Sequence, residues 1–417
     1  MKLFERLRRR APDDGEDGDA AAEDAPPAIV VRAADIPPER PGIVVVDLDA
    51  IAFNWRLLVE AAGRAEVAAA AKADCYGTGM AQVAPALVRA GCRSFFVAVA
   101  AEGIALRKLA PRAAIAVLSG PDRASAPLFG AHNLRPVLND PAQVALWRDW
   151  CRGRDDPPLA WLHVDTGMTR LGLMPATVDE LAGHPDRLAG IAFAGVLSHL
   201  ACADDPAHPM NARQLDAFLA ARALLEPATG PLRASLANSA GVFLGAPWHF
   251  DLVRPGAALY GLAPHSGRPN PMRPVVHAYA RIVQVHEVDR PRTVGYGATW
   301  TVPGPRRLAL VAAGYADGYP RAAGEGGPPG HAGDGAAVWI GGHRAPVVGR
   351  VSMDLLTVDA SAVPTAALGE GALAELLGPH IDADALGAAA GTIGYEVLAR
   401  LGTRFHREWR GGAEGAS

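Results

Sequence analysis

The run VAAAAK, residues Val67–Lys72, is the first of a series of short apolar segments that alternate with longer segments of helical period as far as Tyr260. The later runs are rich in Val, Ile, Phe and Ala: FFVAV from Phe95, IAVLSG from Ile115, LRPVL from Leu134, WLHVD from Trp161, FAGVLSH from Phe193, RASLAN from Arg233 and GAALYG from Gly256. Eight strands with helical segments between them predict an α/β fold, a (β/α)8 TIM-like barrel. A doubly wound open sheet is the alternative. No G-x-G-x-x-G follows the first strand, however, and we therefore favour the barrel.

Beyond about residue 270 the sequence changes to β-branched segments separated by Gly, Pro and Asp, such as AVWIGGHRAPVV from Ala337. This texture predicts a mostly β C-terminal domain over residues 271–417, after a barrel domain over residues 42–270. The glycine-rich stretch Gly324–Gly335 predicts a mobile surface loop in the β domain. The run IVVVDLD, Ile43–Asp49, precedes the barrel and can pair with either domain.

Residues 1–41 differ in composition from the rest of the chain. MKLFERLRRR at the start is basic, APDDGEDGDAAAEDAPP after it is acidic, and neither has enough large apolar side chains to pack. We therefore predict a disordered tail. An arm that binds a membrane surface or a partner is the alternative interpretation, although the basic segment is short for an amphipathic helix.

The composition of the whole chain excludes several classes of protein. Its 40 Lys and Arg against 44 Asp and Glu give a net charge of -4, and no basic stripe carries interleaved aromatic residues, so nucleic acid is not expected as a partner. Cys75, Cys92, Cys151 and Cys202 show neither C-x-x-C spacing nor a Cys/His cluster, which predicts free thiols and no metal site. No apolar run reaches the roughly 20 residues of a spanning helix. We expect a cytoplasmic protein without a membrane partner.

Lys72 ends the first apolar run, and active sites of (β/α)8 barrels lie at the carboxyl ends of the strands. Apolar surroundings disfavour the charged ammonium form, so a lysine in this position has the nucleophilic amine that a Schiff base needs. The alternative is a lysine whose aliphatic part covers apolar surface while its ammonium group reaches water.

The segment AAKADCYGTG, Ala70–Gly79, closely resembles the cofactor-lysine motif of the alanine racemase family. Ten further segments match this family in order between Val46 and Val397: VDLDAIAFNW, NLRPVLND, HVDTGMTRLGL, SHLACADD, LANSAG, VRPGAALYGL, VGYGATW, GYADGY, VGRVSMD and TIGYEV. The resemblance implies an isomerase that interconverts L-alanine and D-alanine for peptidoglycan, with pyridoxal 5'-phosphate (PLP) bound to Lys72 as a Schiff base. It also implies an N-terminal barrel followed by a β domain, in agreement with the texture of the sequence.

For the cofactor, the resemblance implies a phosphate group bound by hydroxyl and backbone N–H groups rather than by several lysines. The residues that match the cofactor site of the family, besides Lys72, are Tyr76, His199, Asn238, Ser239, Arg254, Gly256, Ala257 and Tyr395. Taken by itself, Ser239 is equally well explained as a helix N-cap, and Tyr395 as a core tyrosine with a bonded hydroxyl.

Arg254 matches the arginine that faces the pyridine nitrogen of the cofactor in this family. A guanidinium group has donors only, so the ring nitrogen must accept the hydrogen bond and stay unprotonated. This weakens the electron sink and disfavours transamination relative to return of the proton to the substrate α-carbon. For Arg254 alone, an ion pair with a carboxylate at a strand end is the alternative.

A racemase needs acid/base groups on both faces of a planar carbanion, because one group alone returns the proton to the face it left. The resemblance assigns one face to Lys72 and the other to Tyr296, contributed by the partner subunit of a homodimer. It assigns substrate binding to Arg170, beside the phenol and the substrate carboxylate, and to the backbone of Met353. A phenol needs such a cation to act as a base at neutral pH. Without the resemblance, Tyr296 is better explained as a hairpin residue and Met353 as a core residue.

Two positions depart from the pattern of the family. His163 stands where some relatives have a carbamylated lysine that orients Arg170, and Ser235 stands where some have histidine. We expect His163 to serve packing; an anion such as chloride, or a different local network beside Arg170, is the alternative.

The sequence leaves three alternative functions to compare with alanine racemisation. A non-catalytic PLP-binding protein would lack the β domain and the Tyr296 segment, and a decarboxylase would need an acidic residue in place of Arg254. A broad-specificity racemase is the nearest rival. Tyr315 and Tyr395, which narrow the entrance in relatives, favour a small substrate such as alanine.

Overall fold

The computed structural model describes residues 29–324 and 335–412. The chain divides into two compact units at Ala50 and at Met272: a barrel unit, Ile51–Met272, and a β unit made of the residues before and after it. These limits differ from the predicted 42 and 270, because the strand Gly42–Asp47 pairs with Val276–Val288 and His406–Arg410 inside the β unit.

The barrel unit is built on parallel strands. They are Glu66–Val67, Ala69–Ala70, Ser94–Val97, Ala114–Val117, Arg135–Leu138, Ala160–His163, Phe193–Leu197, Ala234–Ser235 and Leu252–Val253. The seven strands from Ala69–Ala70 to Ala234–Ser235 form one sheet in chain order. The backbone N–H of Ala68 donates to Val253 (2.9 Å) and that of Arg254 donates to Ala237 (2.9 Å), so Leu252–Val253 connects the last strand of the sheet to the first. The predicted barrel is confirmed.

The eighth strand was predicted in the wrong place. Leu252–Val253 is the strand, whereas the run GAALYG forms the 3-10 helix Ala257–Tyr260. The pairing extends to Pro255, whose carbonyl accepts from the N–H of Ala70 at 2.9 Å. Gly256, with φ −126° and ψ −82°, then takes the chain out of the extended conformation and into the 3-10 helix.

Helices connect the barrel strands. The α-helices are Leu48–Ala62, Met80–Arg89, Ala100–Leu109, Ala126–Ala131, Pro141–Cys151, Pro175–Gly183, Pro209–Thr229 and Ser239–Val242; the other 3-10 helices are Pro185–Arg187 and Ala246–Trp248. Three of the α-helices begin with proline, whose fixed φ suits the first helical position. None of the helices in the described ranges is long and apolar enough to cross a membrane.

The interior of the barrel is filled by side chains. The cluster consists of Ala68, Phe96, Ala116, Val137, Trp161, Ala194, Leu197 and Leu252. The rings of Trp161 and Phe96 lie 5.9 Å apart. Gly195 has a φ of 155°, and a Cβ there would stand 2.6 Å from the Trp161 ring, so only glycine lets this large side chain fill the centre. Because the interior is packed, chemistry must take place at a rim of the barrel.

The β unit contains a mostly antiparallel sheet. Its order is Arg306–Val311, Leu356–Asp359, His343–Val348, Ala337–Ile340, Leu373–Leu377, Val276–Val288, Gly42–Asp47 and His406–Arg410. Val276–Val288 also pairs with Arg306–Val311, which closes the sheet on itself. The remaining elements are the hairpin strands Thr293–Val294 and Trp300–Thr301, the α-helices Ala383–Ala389 and Gly394–Ala399, and the 3-10 helices Ala33–Asp35, Tyr296–Ala298, Tyr315–Asp317, Arg321–Ala323 and Thr365–Leu368.

Part of the predicted disordered tail is packed, so that prediction is wrong for residues 29–41. Ile36 is 2% exposed and packs on Ile43 and Val45. Arg410 donates to the carbonyl of Val30 at 2.8 Å, and Arg281 donates to that of Ile36 at 2.8 Å. These guanidinium bonds and the apolar contacts of Ile36 hold the segment against the sheet. Residues 1–28 lie outside the described residues, as do residues 325–334 of the predicted glycine-rich loop.

Candidate active site

Lys72 follows the strand Ala69–Ala70 after one residue, Ala71, and begins a left-handed turn that the sequence did not predict. The φ angles of Ala73, Asp74, Cys75 and Tyr76 are 53°, 52°, 56° and 56°. For residues with a Cβ, this conformation costs roughly 1–2 kcal/mol each. Four such residues in succession persist only where surrounding contacts hold them, and strain of this kind is concentrated at functional sites.

Two carboxylates bond the turn in addition to its own backbone hydrogen bonds, such as that from the N–H of Gly77 to the carbonyl of Ala73 at 2.8 Å. Glu102 Oε1 accepts a hydrogen bond from the backbone N–H of Ala73 at 2.7 Å. Asp74 Oδ1 accepts from the backbone N–H of Met80 at 2.7 Å, which ties the turn to the following helix. Sequence reasoning missed Glu102. Its position three residues after Val99 is a helix-start signal, but nothing in the sequence indicates that its carboxylate reaches the residue after Lys72.

The surroundings of Lys72 favour its neutral amine. Burial lowers the pKa of Lys72, the charge of Arg170 lowers it further, and the charge of Glu102 acts in the opposite direction. The Nζ atom lies 5.9 Å from the centre of the Tyr76 ring. Both burial and the charge of Arg170 thus act toward the neutral amine that a Schiff base requires.

Tyr76, Ser239 and the loop Gly256–Ala258 converge beside Lys72. A Cβ on Gly256 would stand 2.3 Å from the Tyr76 hydroxyl, so only glycine lets the phenol approach this backbone. Ser239 Oγ accepts from the N–H groups of Gly256 (2.9 Å) and Ala258 (3.2 Å). Tyr76 stacks on Tyr260 with ring centres 4.7 Å apart, which fixes its phenol. The result is a group of hydroxyls and backbone N–H groups suited to an anion.

Asn238, rather than Ser239, caps the short helix Ser239–Val242. Asn238 Oδ1 accepts from the N–H of Gly241 at 2.9 Å, and Asn238 Nδ2 donates to the carbonyl of Leu200 at 3.2 Å. The alternative interpretation of Ser239 as the N-cap is therefore wrong. The Asn238 cap leaves the Ser239 hydroxyl free to face the Gly256–Ala258 loop.

Arg254 is only 6% exposed and follows the eighth strand. Its guanidinium donates to the Ser235 hydroxyl and to the carbonyl of Ser198, and lies 3.5 Å from Nδ1 of His199. Burial lowers the pKa of Arg254 to about 9. Within the described residues no carboxylate forms an ion pair with it, contrary to the alternative considered from the sequence. The three contacts leave two N–H groups of the guanidinium for a further acceptor.

The two histidines near Arg254 are neutral. Burial lowers the pKa of His163 to about 3, with a further contribution from the charge of Arg254. The Nδ1 atom of His163 shares a 2.8 Å hydrogen bond with Oδ1 of Asn139, which agrees with the packing role expected for it. Burial and the charge of Arg254 also hold the pKa of His199 well below its ordinary value. Arg170 is exposed in the loop after Ala160–His163, and its charge acts on Lys72 and His199.

The other predicted site residues lie in the β unit with exposed side chains. Tyr296 is 71% exposed at the turn of the hairpin formed by Thr293–Val294 and Trp300–Thr301. Met353 is 52% exposed, and its carbonyl accepts from the N–H of Ala316 at 3.1 Å. Tyr395 is 40% exposed near the start of its helix. The alternatives of a core methionine and a core tyrosine are therefore wrong.

Comparisons with known proteins agree with this geometry. The family model of the alanine racemase N-terminal domain matches residues 46–264, and that of the C-terminal domain matches residues 275–409. The alanine racemase of Rhodospirillum rubrum is 48% identical over 381 residues, which cover 90% of this chain and 97% of that protein. The catabolic alanine racemase of Mesorhizobium japonicum is 46% identical, covering 89% and 93%. The crystal structure of alanine racemase from Bartonella henselae with covalently bound pyridoxal phosphate superposes with a TM-score of 0.82 at 35% identity, covering 89% of this chain and 99% of that one.

These matches extend over both units and define the class of the protein as an isomerase that uses pyridoxal phosphate. More narrowly, the chain belongs to the alanine racemase family, since the two family models together match most of its length. The resemblance noted in the sequence is confirmed, and the function is that of an alanine racemase.

The residues at the rim of the barrel fit PLP. Lys72 supplies an amine whose neutral form is favoured. The absence of a side chain at Gly256 opens the approach between Tyr76 and the loop, where the hydroxyl of Ser239, which accepts from the N–H groups of Gly256 and Ala258, can donate to a phosphate oxygen. The buried donors of Arg254 match an aromatic ring nitrogen that acts as an acceptor.

Proposed function

We propose that the chain racemises alanine with two acid/base groups on opposite faces of the substrate: Lys72 and Tyr296 of the partner subunit, in a homodimer with shared active sites. The observation that carries this proposal is the half-buried Lys72 amine at the barrel rim, with its lowered pKa and with Arg170 acting on it. The 71% exposure of Tyr296 on the β unit supports the second half, because the phenol is accessible to another copy of the chain.

When bound, PLP withdraws electrons from the α-carbon of alanine and acidifies its hydrogen. Lys72 would attach the cofactor. Once the amine of the substrate has replaced that of Lys72 on the cofactor, the freed Lys72 amine accepts or returns the proton on one face of the α-carbon. Tyr296 of the partner subunit does the same on the other face. The residues proposed to hold the cofactor are Tyr76, His199, Asn238, Ser239, Arg254, Gly256, Ala257 and Tyr395. Arg170 and the backbone of Met353 are proposed to bind the substrate carboxylate.

The proposed substrate is alanine and the proposed product D-alanine for peptidoglycan. Tyr315 and Tyr395 are both large and exposed on the β unit, and we propose that they narrow the entrance. We also place the enzyme in the cytoplasm. All four cysteines are free, as expected for a reducing compartment.

The assignment of Lys72 is tested by trapping the cofactor with borohydride and mapping the labelled peptide. The chain has only three lysines, Lys2, Lys72 and Lys108, so the experiment has few possible outcomes. We expect the label on Lys72, because its amine is the one shielded at the barrel rim, whereas Lys108 is exposed on the helix Ala100–Leu109. A label on either other lysine would refute the proposed function.

The shared site is tested by complementation. The Lys72→Ala and Tyr296→Phe variants are each expected to be inactive as homodimers. The two variants are then mixed so that their subunits exchange. Random pairing makes half of the dimers mixed, and one of the two sites in each mixed dimer has both groups, so roughly a quarter of the full activity per site is expected. Exchange of subunits is verified by mass spectrometry with one chain tagged. No recovery in verified mixed dimers would place Tyr296 in the site of its own chain.

A further inference from the structure

Glu102 joins three backbone positions with one carboxylate. Oε1 accepts from the N–H of Ala73 at 2.7 Å, and Oε2 accepts from those of Ala98 at 2.8 Å and Val99 at 3.3 Å. Ala98 follows the strand Ser94–Val97, and Val99 is the N-cap of the helix Ala100–Leu109. The side chain therefore connects the residue after Lys72 to the neighbouring strand and helix.

Capping of the helix Ala100–Leu109 accounts for the hydrogen bonds of only one of the two carboxylate oxygens of Glu102. A glutamate at the third helical position needs one oxygen to accept from the N-cap backbone. The other oxygen of Glu102 is directed outside its own helix, to a residue 29 positions earlier in the chain. The Ala73–Glu102 bond has the short distance of a charge-assisted hydrogen bond, the stronger kind.

The bond reaches the turn at its first left-handed residue. Ala73 has a φ of 53° and is followed by three more residues in the same region. Asp74 holds the far end through Met80, and Glu102 is the side chain that bonds the end adjoining Lys72. It acts beside two backbone bonds, from the N–H of Gly77 to the carbonyl of Ala73 (2.8 Å) and from the N–H of Cys75 to the carbonyl of Ala71 (3.2 Å). The Ala73 N–H that donates to Glu102 lies in the peptide plane that also contains the Cα of Lys72, so loss of this bond lets the plane rotate and changes the Cα–Cβ direction of Lys72.

We propose that Glu102 is a positioning residue for Lys72: its carboxylate holds Ala73 in the left-handed conformation and thereby fixes the ε-amine at the point where it meets cofactor and substrate. This inference rests on the proposed role of Lys72. Glu102 contacts neither the ε-amine of Lys72 nor the proposed position of the substrate. It acts on Lys72 through its hydrogen bond to the backbone of the turn. The charge of Glu102 adds a second influence, since it acts on the pKa of Lys72 against burial and Arg170.

The primary test variant is Glu102→Gln, which keeps the size of the side chain. An amide has one acceptor oxygen where the carboxylate has two, and its NH2 group faces N–H donors. Glu102→Ala is the second variant and removes all three contacts. The matched control is Asp122→Ala, because the exposed Asp122 also accepts from a backbone N–H just before a helix, that of Ser125 at 2.7 Å, without contacting the turn.

Hydrogen exchange of the holoenzyme is measured on a peptide covering Lys72–Gly79, together with kcat and KM for alanine. In both Glu102 variants we expect exchange in this peptide to be at least about tenfold faster, the effect of losing one charge-assisted hydrogen bond. We expect kcat to fall by a similar factor while KM changes less than about twofold, because Arg170 and Met353, the residues proposed to bind the substrate carboxylate, lie outside the turn. Asp122→Ala should change neither measurement.

Wild-type exchange in the Lys72–Gly79 peptide of both variants, or an equal rise in the control, would overturn the inference and leave Glu102 as a helix cap. Faster exchange with an unchanged kcat would overturn it as well. Borohydride labelling of each variant separates this failure from that of the proposed function. A label on Lys72 with unchanged exchange contradicts only the role of Glu102, whereas a label on another lysine contradicts the role of Lys72 itself.

Discussion

Replacing Lys72 by arginine is expected to lower the racemisation rate at least about a thousandfold, in the range found for loss of an acid/base group. A guanidinium stays protonated and does not form an imine, so the variant lacks both the attachment point and one proton acceptor. The structure adds an electrostatic reason, because the charge of Arg170 disfavours a cation at this position. The measurement is the rate of D-alanine formation from L-alanine, with the amount of bound cofactor determined in parallel.

Lys108→Arg is the matched control. Lys108 lies exposed on the helix Ala100–Leu109, and the same substitution there should leave the racemisation rate unchanged. A Lys72→Arg enzyme that keeps more than about a tenth of the wild-type rate would contradict the assignment, since such a small loss is below that expected for an acid/base group.

The fold was predictable where burial imposes a pattern. Parallel barrel strands are buried on both faces and therefore read as apolar runs, which is why the runs around Phe95, Ile115 and Trp161 coincide with strands. The eighth strand was predicted in the wrong place because the run GAALYG from Gly256 is as apolar as the true strand, Leu252–Val253. Its four-residue 3-10 helix is buried too, so hydrophobicity did not distinguish the two.

The association of segments distant in sequence was not predictable. Ile36 is buried by Ile43 and Val45, and the segment before it is held by Arg281 and Arg410, which stand hundreds of residues later in the chain. Composition alone made this segment part of a disordered tail. Pairing of distant segments depends on tertiary contacts that leave no local signal.

Within the site, residue types were predictable but not their contacts. The position of Lys72 at the end of a strand indicated a site at the rim of the barrel. Gly256 was predicted as a cofactor-site residue only through the resemblance to the family. The reason for glycine at 256 is the approach of the Tyr76 hydroxyl, and this requires the folded loop. The left-handed turn and its contact with Glu102 were missed because alanine, cysteine and tyrosine do not signal positive φ in a sequence.

Arg254 offers the second prediction, on reaction fidelity. Its guanidinium is buried among Ser198, His199 and Ser235, with two N–H groups left over and no carboxylate paired with it in the described residues. Burial lowers the pKa of Arg254 only to about 9, so at neutral pH the group remains a cation that can donate and not accept. His199 beside it stays neutral and does not supply a proton. The pocket is therefore built so that a ring nitrogen facing Arg254 receives a hydrogen bond but no proton.

We expect Arg254→Glu to slow racemisation more than tenfold and to release pyruvate from alanine. A carboxyl at this position shares a proton with the ring nitrogen, which strengthens the electron sink and opens transamination. The tenfold figure is a lower bound, because losing about 1.4 kcal/mol of transition-state stabilisation already costs that factor. The measurements are the racemisation rate and the pyruvate formed per cofactor, with circular dichroism to establish that the variant is folded.

Arg254→Lys is the matched control, and it separates the loss of an arginine from the gain of an acid. An ammonium group is also a donor without an acceptor, so this variant should racemise more slowly and still form no pyruvate. If Arg254→Glu keeps its racemisation rate and makes no pyruvate, Arg254 does not face the ring nitrogen. The residues that share its strand and loop, Gly256 and Ala257, would then have to be assigned again, because their proposed contacts with the phosphate depend on the same orientation of the cofactor.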